Sequence, residues 1–286
     1  MKYFSLDRIA GMNCHYRYYT LEDFFSSLQR SGITHAELWT CASHYLLDEQ
    51  GWQDAKALRQ TARRYGVEVI CLTPEQNNPK PHNLAARDPE LIRRTCRYFS
   101  NAILAAEELE CKLISVSSGC CFYSEPAAHG WQRAVQMLHE LAEKARRHGV
   151  TLAMEPLLPS ESRLVNTLGQ ERQMLQDVRS AGLKVNIDLG PVGAAGETVG
   201  QWFEAFGQDI VHCHFVDGRP TGHLAWGDGT RCPEADLAVF DQYGYQGYFT
   251  LELTSPDYFT EPWLADQKCL DTLSPWLTGT GKEGKA

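Results

Sequence analysis

The sequence predicts a single (β/α)8 barrel, and three observations carry that expectation. Short β-branched or apolar runs alternate with longer amphipathic stretches along nearly the whole chain. Eight such units fit into about 280 residues, the usual size of a closed barrel. A doubly wound sheet would be expected to carry a G-x-G-x-x-G turn after its first strand, and none is present. The expected layout is one catalytic domain over residues 1–277 and a flexible tail over 278–286, "TGTGKEGKA" being too small and polar to pack.

The elements follow in order. An opening strand near 4–12 leads to a helix in "TLEDFFSSLQRSG" (20–32). "THAELW" (34–39) precedes "WQDAKALRQTARRYG" (52–66), and "VEVICLT" (67–73) precedes "PELIRRTCRYFSNAILAAEEL" (89–109). "CKLISVSS" (111–118) precedes "WQRAVQMLHELAEKARRHG" (131–149), where Val135, Leu138, Ala142 and Ala145 repeat at helical steps. "VTLAMEP" (150–156) leads to "LGQERQMLQDVRSAG" (168–182). "LKVNIDLG" (183–190), "DIVHCHFVDG" (209–218) and "YFTLELT" (248–254) complete the strands, with helices near 197–206, 233–243 and 261–277. Gly32, Gly66, Gly149 and Gly182 stand where helices should end, since glycine adopts the left-handed conformation of a C-cap without steric cost.

Composition narrows the function. With 36 acidic against 27 basic residues the net charge is −9, which argues against a phosphate-neutralising face and hence against nucleic acid. No apolar run reaches the roughly 20 residues that span a bilayer, and "MKYFSLDRIAG" lacks the apolar core of a signal peptide. The ten cysteines include no C-x-x-C pair, and Cys120 and Cys121 are adjacent, so reduced thiols of a cytoplasmic protein are expected. The expected partner is a small-molecule sugar, with no nucleic acid and no membrane; a homo-oligomer is compatible with the sequence.

Active sites of such barrels lie at the C-terminal strand ends. The fifth strand ends at Glu155, the sixth at Asp188, the seventh at His214 and the eighth at Glu252. One acid at a strand end is ordinarily a solvated terminus or a helix N-cap. Four consecutive strands ending in ligand types are harder to explain that way, because crowded carboxylates repel and call for a cation. Three oxygens and one nitrogen favour Mn2+, with Mg2+ or Co2+ as alternatives, over a cysteine- or histidine-rich zinc site. Glu155 and Glu252 come from separated strands, so a chelated substrate would have one carboxylate on each side. One would take a proton from the carbon beside a ketone and the other return it to the opposite face, the metal stabilising the enediolate. That is epimerisation; transfer between neighbouring atoms would be aldose–ketose isomerisation.

These residues resemble the sugar-phosphate isomerase/epimerase superfamily, the xylose-isomerase-like barrels. The similarity is strongest to its fructoselysine 3-epimerase branch, with ketose 3-epimerases further off. It covers all but the tail and is carried by "AELW" (36–39), "LTPEQNNPKPHN" (72–83), "EPLLPSES" (155–162), "NIDLG" (186–190), "HCHFVDG" (212–218), "WGDG" (226–229) and "GYQGYFTLEL" (244–253). The resemblance implies that Glu155, Asp188, His214 and Glu252 hold the metal and that the two glutamates are the acid/base pair. It also implies that Glu161 contacts substrate oxygens, and it puts Arg219 near a substrate-binding arginine, although the spacing differs. One departure is Pro191, where ketose 3-epimerases often have a histidine three residues after the sixth-strand aspartate; this weakens a free-ketohexose assignment and is compatible with a modified or amine-linked sugar. An inosose-type dehydratase is the main alternative on the same scaffold. A repair endonuclease would need a histidine cluster and a basic groove, and neither is visible.

Other residues are weighed by position. Trp39 could stack on a sugar or pack the barrel mouth, and Glu37 shares its strand end. Glu75 follows the third strand and could contact substrate. His223, before "WGDG", reads as part of a loop over the site. His15 and His44 lie in loops where solvation is the ordinary expectation, and His129, His139 and His148 read as surface residues. His212 and His214, two apart on one strand, face the same side. Only His214 is near enough to the strand end to be a ligand, with His212 expected one layer below as support.

Overall fold

In the computed structural model, which describes residues 3–76 and 81–278, eight parallel strands close into a barrel in sequence order. They are β1 (Ile9–Met12), β2 (His35–Trp39), β3 (Glu68–Thr73) and β4 (Leu113–Val116). The second half is β5 (Thr151–Met154), β6 (Leu183–Asp188), β7 (Ile210–His214) and β8 (Phe249–Leu251). The seam closes with Ile9 opposite Phe249 and Gly11 opposite Leu251. Around the barrel run α1 (Leu21–Ser31), α2 (Ala55–Arg64), α3 (Pro89–Leu109), α4 (Ala127–Arg147) and α5 (Leu168–Val178). They are followed by α6 (Leu189–Ala194), α7 (Val199–Phe206), α8 (Pro233–Gln242) and α9 (Pro262–Leu273).

Strand alternation sorts the side chains into two environments. Ile114 and Val116, Leu152 and Met154, Val185 and Ile187, and Phe249 and Leu251 belong to the main apolar core, between barrel and helices. The intervening residues Ser115, Asn186 and Thr250 are fully buried on the other face, with Glu37 and His212. The barrel interior is therefore polar at mid-height, and its polar groups are joined across strands by hydrogen bonds described below.

Several expected boundaries shift for identifiable reasons. The opening strand is two pieces: Phe4–Ser5, a 3-10 turn over Leu6–Arg8, then β1. Phe4 and Ser5 leave the barrel to pair with Leu277 and Thr278, so Thr278, expected to begin the tail, is part of a two-stranded ribbon; residues 279–286 lie outside the described residues. Helix α5 ends not at Gly182 but at Arg179, which takes the left-handed conformation itself at φ 53°. Gly182 serves packing instead: a Cβ there would sit 2.3 Å from the Ala142 carbonyl oxygen. Residues 189–190, read as strand, open the short helix α6, with Asp188 as its N-cap. All ten cysteines are unpaired, and no described helix is long and apolar enough to cross a membrane.

The Gly182 contact is with backbone, which cannot move aside like a side-chain tip. Gly182→Ala should therefore lower unfolding free energy by about 1–3 kcal/mol in urea titration, while Gly149→Ala, whose Cβ position is open but whose φ is 68°, should be disturbed by backbone strain alone.

Candidate metal centre

Each strand-end residue lies two positions beyond a lumen-facing neighbour: Glu155 after Ala153, Asp188 after Asn186, His214 after His212, Glu252 after Thr250. Period-two alternation therefore turns all four into the barrel at its C-terminal rim. Glu155 just follows β5, and its amide still donates to Val116 O at 2.9 Å, holding its backbone in the ladder direction. The four offer ligand atoms that all lie within 4.8 Å of one another. His214 Nδ1 is 3.0 Å from Glu155 Oε2, 3.6 Å from Asp188 Oδ2 and 2.9 Å from Glu252 Oε2.

The orientation of His214 is set from beneath. Its Nε2 faces Glu37 Oε1 at 3.1 Å, and His212 Nε2 donates to Glu37 Oε2 at 2.6 Å. Thr73 Oγ1 donates to the same Glu37 Oε1. Burial disfavours the Glu37 carboxylate, but His212 and His214 outweigh it and hold its pKa well below the ordinary value. An ionised Glu37 only accepts, so His214 Nε2 carries a proton toward it, and Nδ1, facing the three carboxylates, is the nitrogen that would offer its lone pair once a cation displaces the proton there. Such carboxylate–histidine support fixes both tautomer and ring plane of a metal ligand. His212 is one layer below and serves Glu37, as its place in the strand suggested.

A divalent cation fits this donor set. His214 Nδ1 is buried and has no hydrogen-bond partner, although three carboxylate oxygens surround it. A shared cation would satisfy that nitrogen and offset the repulsion among the carboxylates, and an oxygen-rich set with one imidazole suits a hard ion. The electrostatics show the same need. Burial pushes Glu155 up to about 8 despite the pull of His214. Burial also opposes ionisation of Asp188 and Glu252, yet the neighbouring His214 and His223 hold both below their usual values. Burial lowers His214, but Glu252, Glu37 and Glu155 raise it well above an ordinary imidazole.

A cavity of about 310 Å3 opens above the cluster and is lined by Glu155, Asp188 and Glu252. Trp39, Glu75, Glu161 and His223 line it too. His223 Nε2 lies 2.9 Å from Asp188 Oδ2 and 3.2 Å from Glu252 Oε2, nearer the carboxylates than expected of a covering loop. Arg219 is exposed on the loop after β7 and does not line the cavity. His15 and His44 are buried, not solvated: His15 Nε2 is 3.0 Å from Asp266 Oδ1, and His44 lies 2.7 Å from Asn13 Nδ2. Both tie loops at the rim. Cys14, Arg17, Gln76 and Pro191 also line the cavity; Gln76 falls within the "LTPEQNNPKPHN" stretch, while no motif in the sequence singles out Cys14 or Arg17.

Residues 25–273 match the family model of xylose isomerase-like TIM barrels. Fructoselysine 3-epimerase of Shigella flexneri is 28% identical over 267 residues, covering 92% of this chain and 95% of that protein. D-psicose 3-epimerase of Enterocloster bolteae is 24% identical over 253 residues, covering 80% and 79%. Among solved structures, a D-tagatose 3-epimerase-like protein superposes with a TM-score of 0.76 at 19% identity, over 94% of this chain and 98% of that one. At that identity the likeness shows the shared fold.

Two outcomes are expected for the metal. His214→Ala should abolish calorimetric Mn2+ binding, while His212→Ala should weaken it about 10–100-fold, the range for a supporting residue; equal losses would contradict the layering. Because His214 and Glu155 hold protons that a cation must displace, Mn2+ affinity should rise as pH rises toward about 8. Binding should release protons, seen as a buffer-dependent enthalpy.

Proposed function

The chain belongs to the xylose isomerase-like TIM-barrel family, and we propose that it is a divalent-metal-dependent epimerase of a keto-sugar or a fructosamine-type sugar conjugate. The observation that carries this reading is the convergence of Glu155 and Glu252, from β5 and β8, on one buried centre at the floor of a single cavity. Glu155, Asp188, His214 and Glu252 would hold the ion. When bound, the ion supplies Lewis-acid polarisation of adjacent substrate oxygens and compensates the clustered negative charge.

The remaining work belongs to the chain's own residues. With the substrate's ketone and neighbouring hydroxyl carbon between the two glutamates, one carboxylate removes the proton from C3. The bonding pair moves into the C2–C3 bond as the carbonyl accepts charge on oxygen. The other glutamate delivers a proton to the opposite face of C3, and collapse of the enediolate restores the ketone with inverted configuration. No electron leaves the substrate, and only the two carboxyl groups exchange protonation state. His223, against Asp188 and Glu252, and Glu161, at the mouth with its Oε2 accepting from the Leu158 amide at 3.0 Å, are placed to orient sugar hydroxyls. The fructoselysine and psicose 3-epimerase relatives support this assignment, and Pro191 in the cavity wall favours the conjugated sugar.

Turnover in D2O of a panel of ketoses, inososes and fructosamines with Mn2+, Mg2+ or Co2+ should place solvent deuterium at C3 of the epimerised product. Glu155→Gln and Glu252→Gln should each cut kcat by about 10^2–10^4, as expected for loss of an acid/base group. A dehydrated product, an aldose product, or epimerisation without exchange would overturn the assignment.

A further inference from the structure

Arg17 is a cation in a cavity otherwise dominated by carboxylates. It follows the 3-10 turn after β1, and its guanidinium lies over two aromatic rings, 5.2 Å from the Trp39 centroid and 4.4 Å from that of Phe259. Its Nε donates to Cys14 O at 3.0 Å. Among the described residues its two terminal nitrogens have no hydrogen-bond or ion-pair partner, although five acidic side chains, Glu75, Glu155, Glu161, Asp188 and Glu252, line the same cavity. The ring contacts and the Nε bond fix the plane of the guanidinium, so its outer edge is a pre-oriented fork awaiting an acceptor.

We propose that Arg17 receives a carboxylate of the substrate, so that the substrate is a keto-sugar conjugated to a carboxylic acid, such as an amino-acid-derived fructosamine; this rests on the reading of the cavity as the sugar site. A carboxylate matches the evidence better than a phosphate. One planar fork pairs with a planar carboxylate through two parallel bonds. A phosphate would bring about −1.5 to −2 charges among five carboxylates. It would also ask for several donors, of the kind a helix N-terminus offers, where the cationic side chains among the described lining residues are one arginine and a histidine already engaged by Asp188 and Glu252. Arg17 is thus a specificity residue: it leaves the reacting carbon to the glutamates and selects what is attached to the sugar.

The test is a calorimetric Kd on the Mn2+-supplemented protein, so it reads binding whether or not turnover follows. Fructosamines of glycine, β-alanine and γ-aminobutyric acid are each paired with the primary amide, which changes the carboxylate alone. The wild type should bind at least one acid about 10–100-fold more tightly than its amide, the value of a charge-assisted pair. Arg17→Gln should collapse that ratio to within about twofold, and Arg17→Lys should restore part of it, with an unchanged melting temperature marking an intact fold. Equal acid and amide affinities in the wild type would overturn the proposal, as would a ratio that survives Arg17→Gln. Selective loss of a ketohexose phosphate relative to the free ketohexose, with the acid/amide ratio unmoved, would also overturn it. Failure of the epimerase reading alone would appear elsewhere, as absent C3 exchange with these affinities intact.

Discussion

Three carboxylates packed around one imidazole nitrogen are the constraint from which the rest of the structure follows. His214 Nδ1 lies 2.9–3.6 Å from Glu155, Asp188 and Glu252, in a setting where all four groups are largely removed from water. The three carboxylates offer oxygens within 4.8 Å of one another, and like charges so close in a low-dielectric environment oppose one another strongly, so that protons or a cation are needed to relieve them. Among the described residues no lysine or arginine forms an ion pair with the cluster, whose cationic contacts are His214 and His223. That donor set suits a divalent ion, and the same crowding drives neighbouring carboxyl groups apart, Glu155 upward by burial and Asp188 downward by the histidines.

The same constraint reaches into the barrel. A ligand imidazole must present a lone pair, so its far nitrogen needs an acceptor, and Glu37 fills that position. Glu37 is itself fully buried, so it requires donors of its own, and His212 and Thr73 supply them. Asn186 donates to Ser115 Oγ at 3.2 Å in the same layer. A barrel interior that could have been filled with valine and leucine is instead a connected set of polar groups beneath the site. Each of these residues meets at least one partner, which offsets part of the cost of burial, although Asn186 Oδ1 and His212 Nδ1 have none among the described residues.

Much of this was legible in the chain and some was not, for physical reasons. Strand alternation places a residue on a face whatever its partners, so Glu155, Asp188, His214 and Glu252 could be gathered from position alone, and His212 could be set one layer below His214. Glu37 could be placed at a strand end, but its bond to His214 spans 177 positions in the chain and no local pattern encodes it. His15 and His44 looked like solvated loop residues because the acceptors that bury them, Asp266 and the Tyr19 carbonyl, come from elsewhere in the fold. Asp188 shows that two readings of one residue can both hold: its Oδ1 caps α6 through the Gly190 amide at 2.8 Å, which leaves Oδ2 for the cluster. Arg17 carried no signal, since a lone arginine after a short strand acquires meaning only when Trp39, Phe259 and the cavity surround it.

The loop after β7 shows how the cavity wall is built without a local motif. Asp217 is buried, and its carboxylate accepts from the amides of Gly218, Gly227, Gly229 and Arg231 at 2.8–3.0 Å. Gathering four amides onto one side chain pins both ends of the loop, and the residues between them must arch over the barrel mouth. His223 rides on that arch at φ 46°, a conformation that a non-glycine residue adopts at a cost and keeps only when its surroundings insist. The return is its imidazole at hydrogen-bond distance from Asp188 and Glu252. Gly190 makes room for it: a Cβ there would stand 3.0 Å from His223 Cε1. Pro191 follows and lines the same cavity as His223. The imidazole on this side of the cavity comes from the β7 loop. The chemistry of the wall is set by what the fold brings together, and the loop that supplies it can change while the four strand ends keep their places.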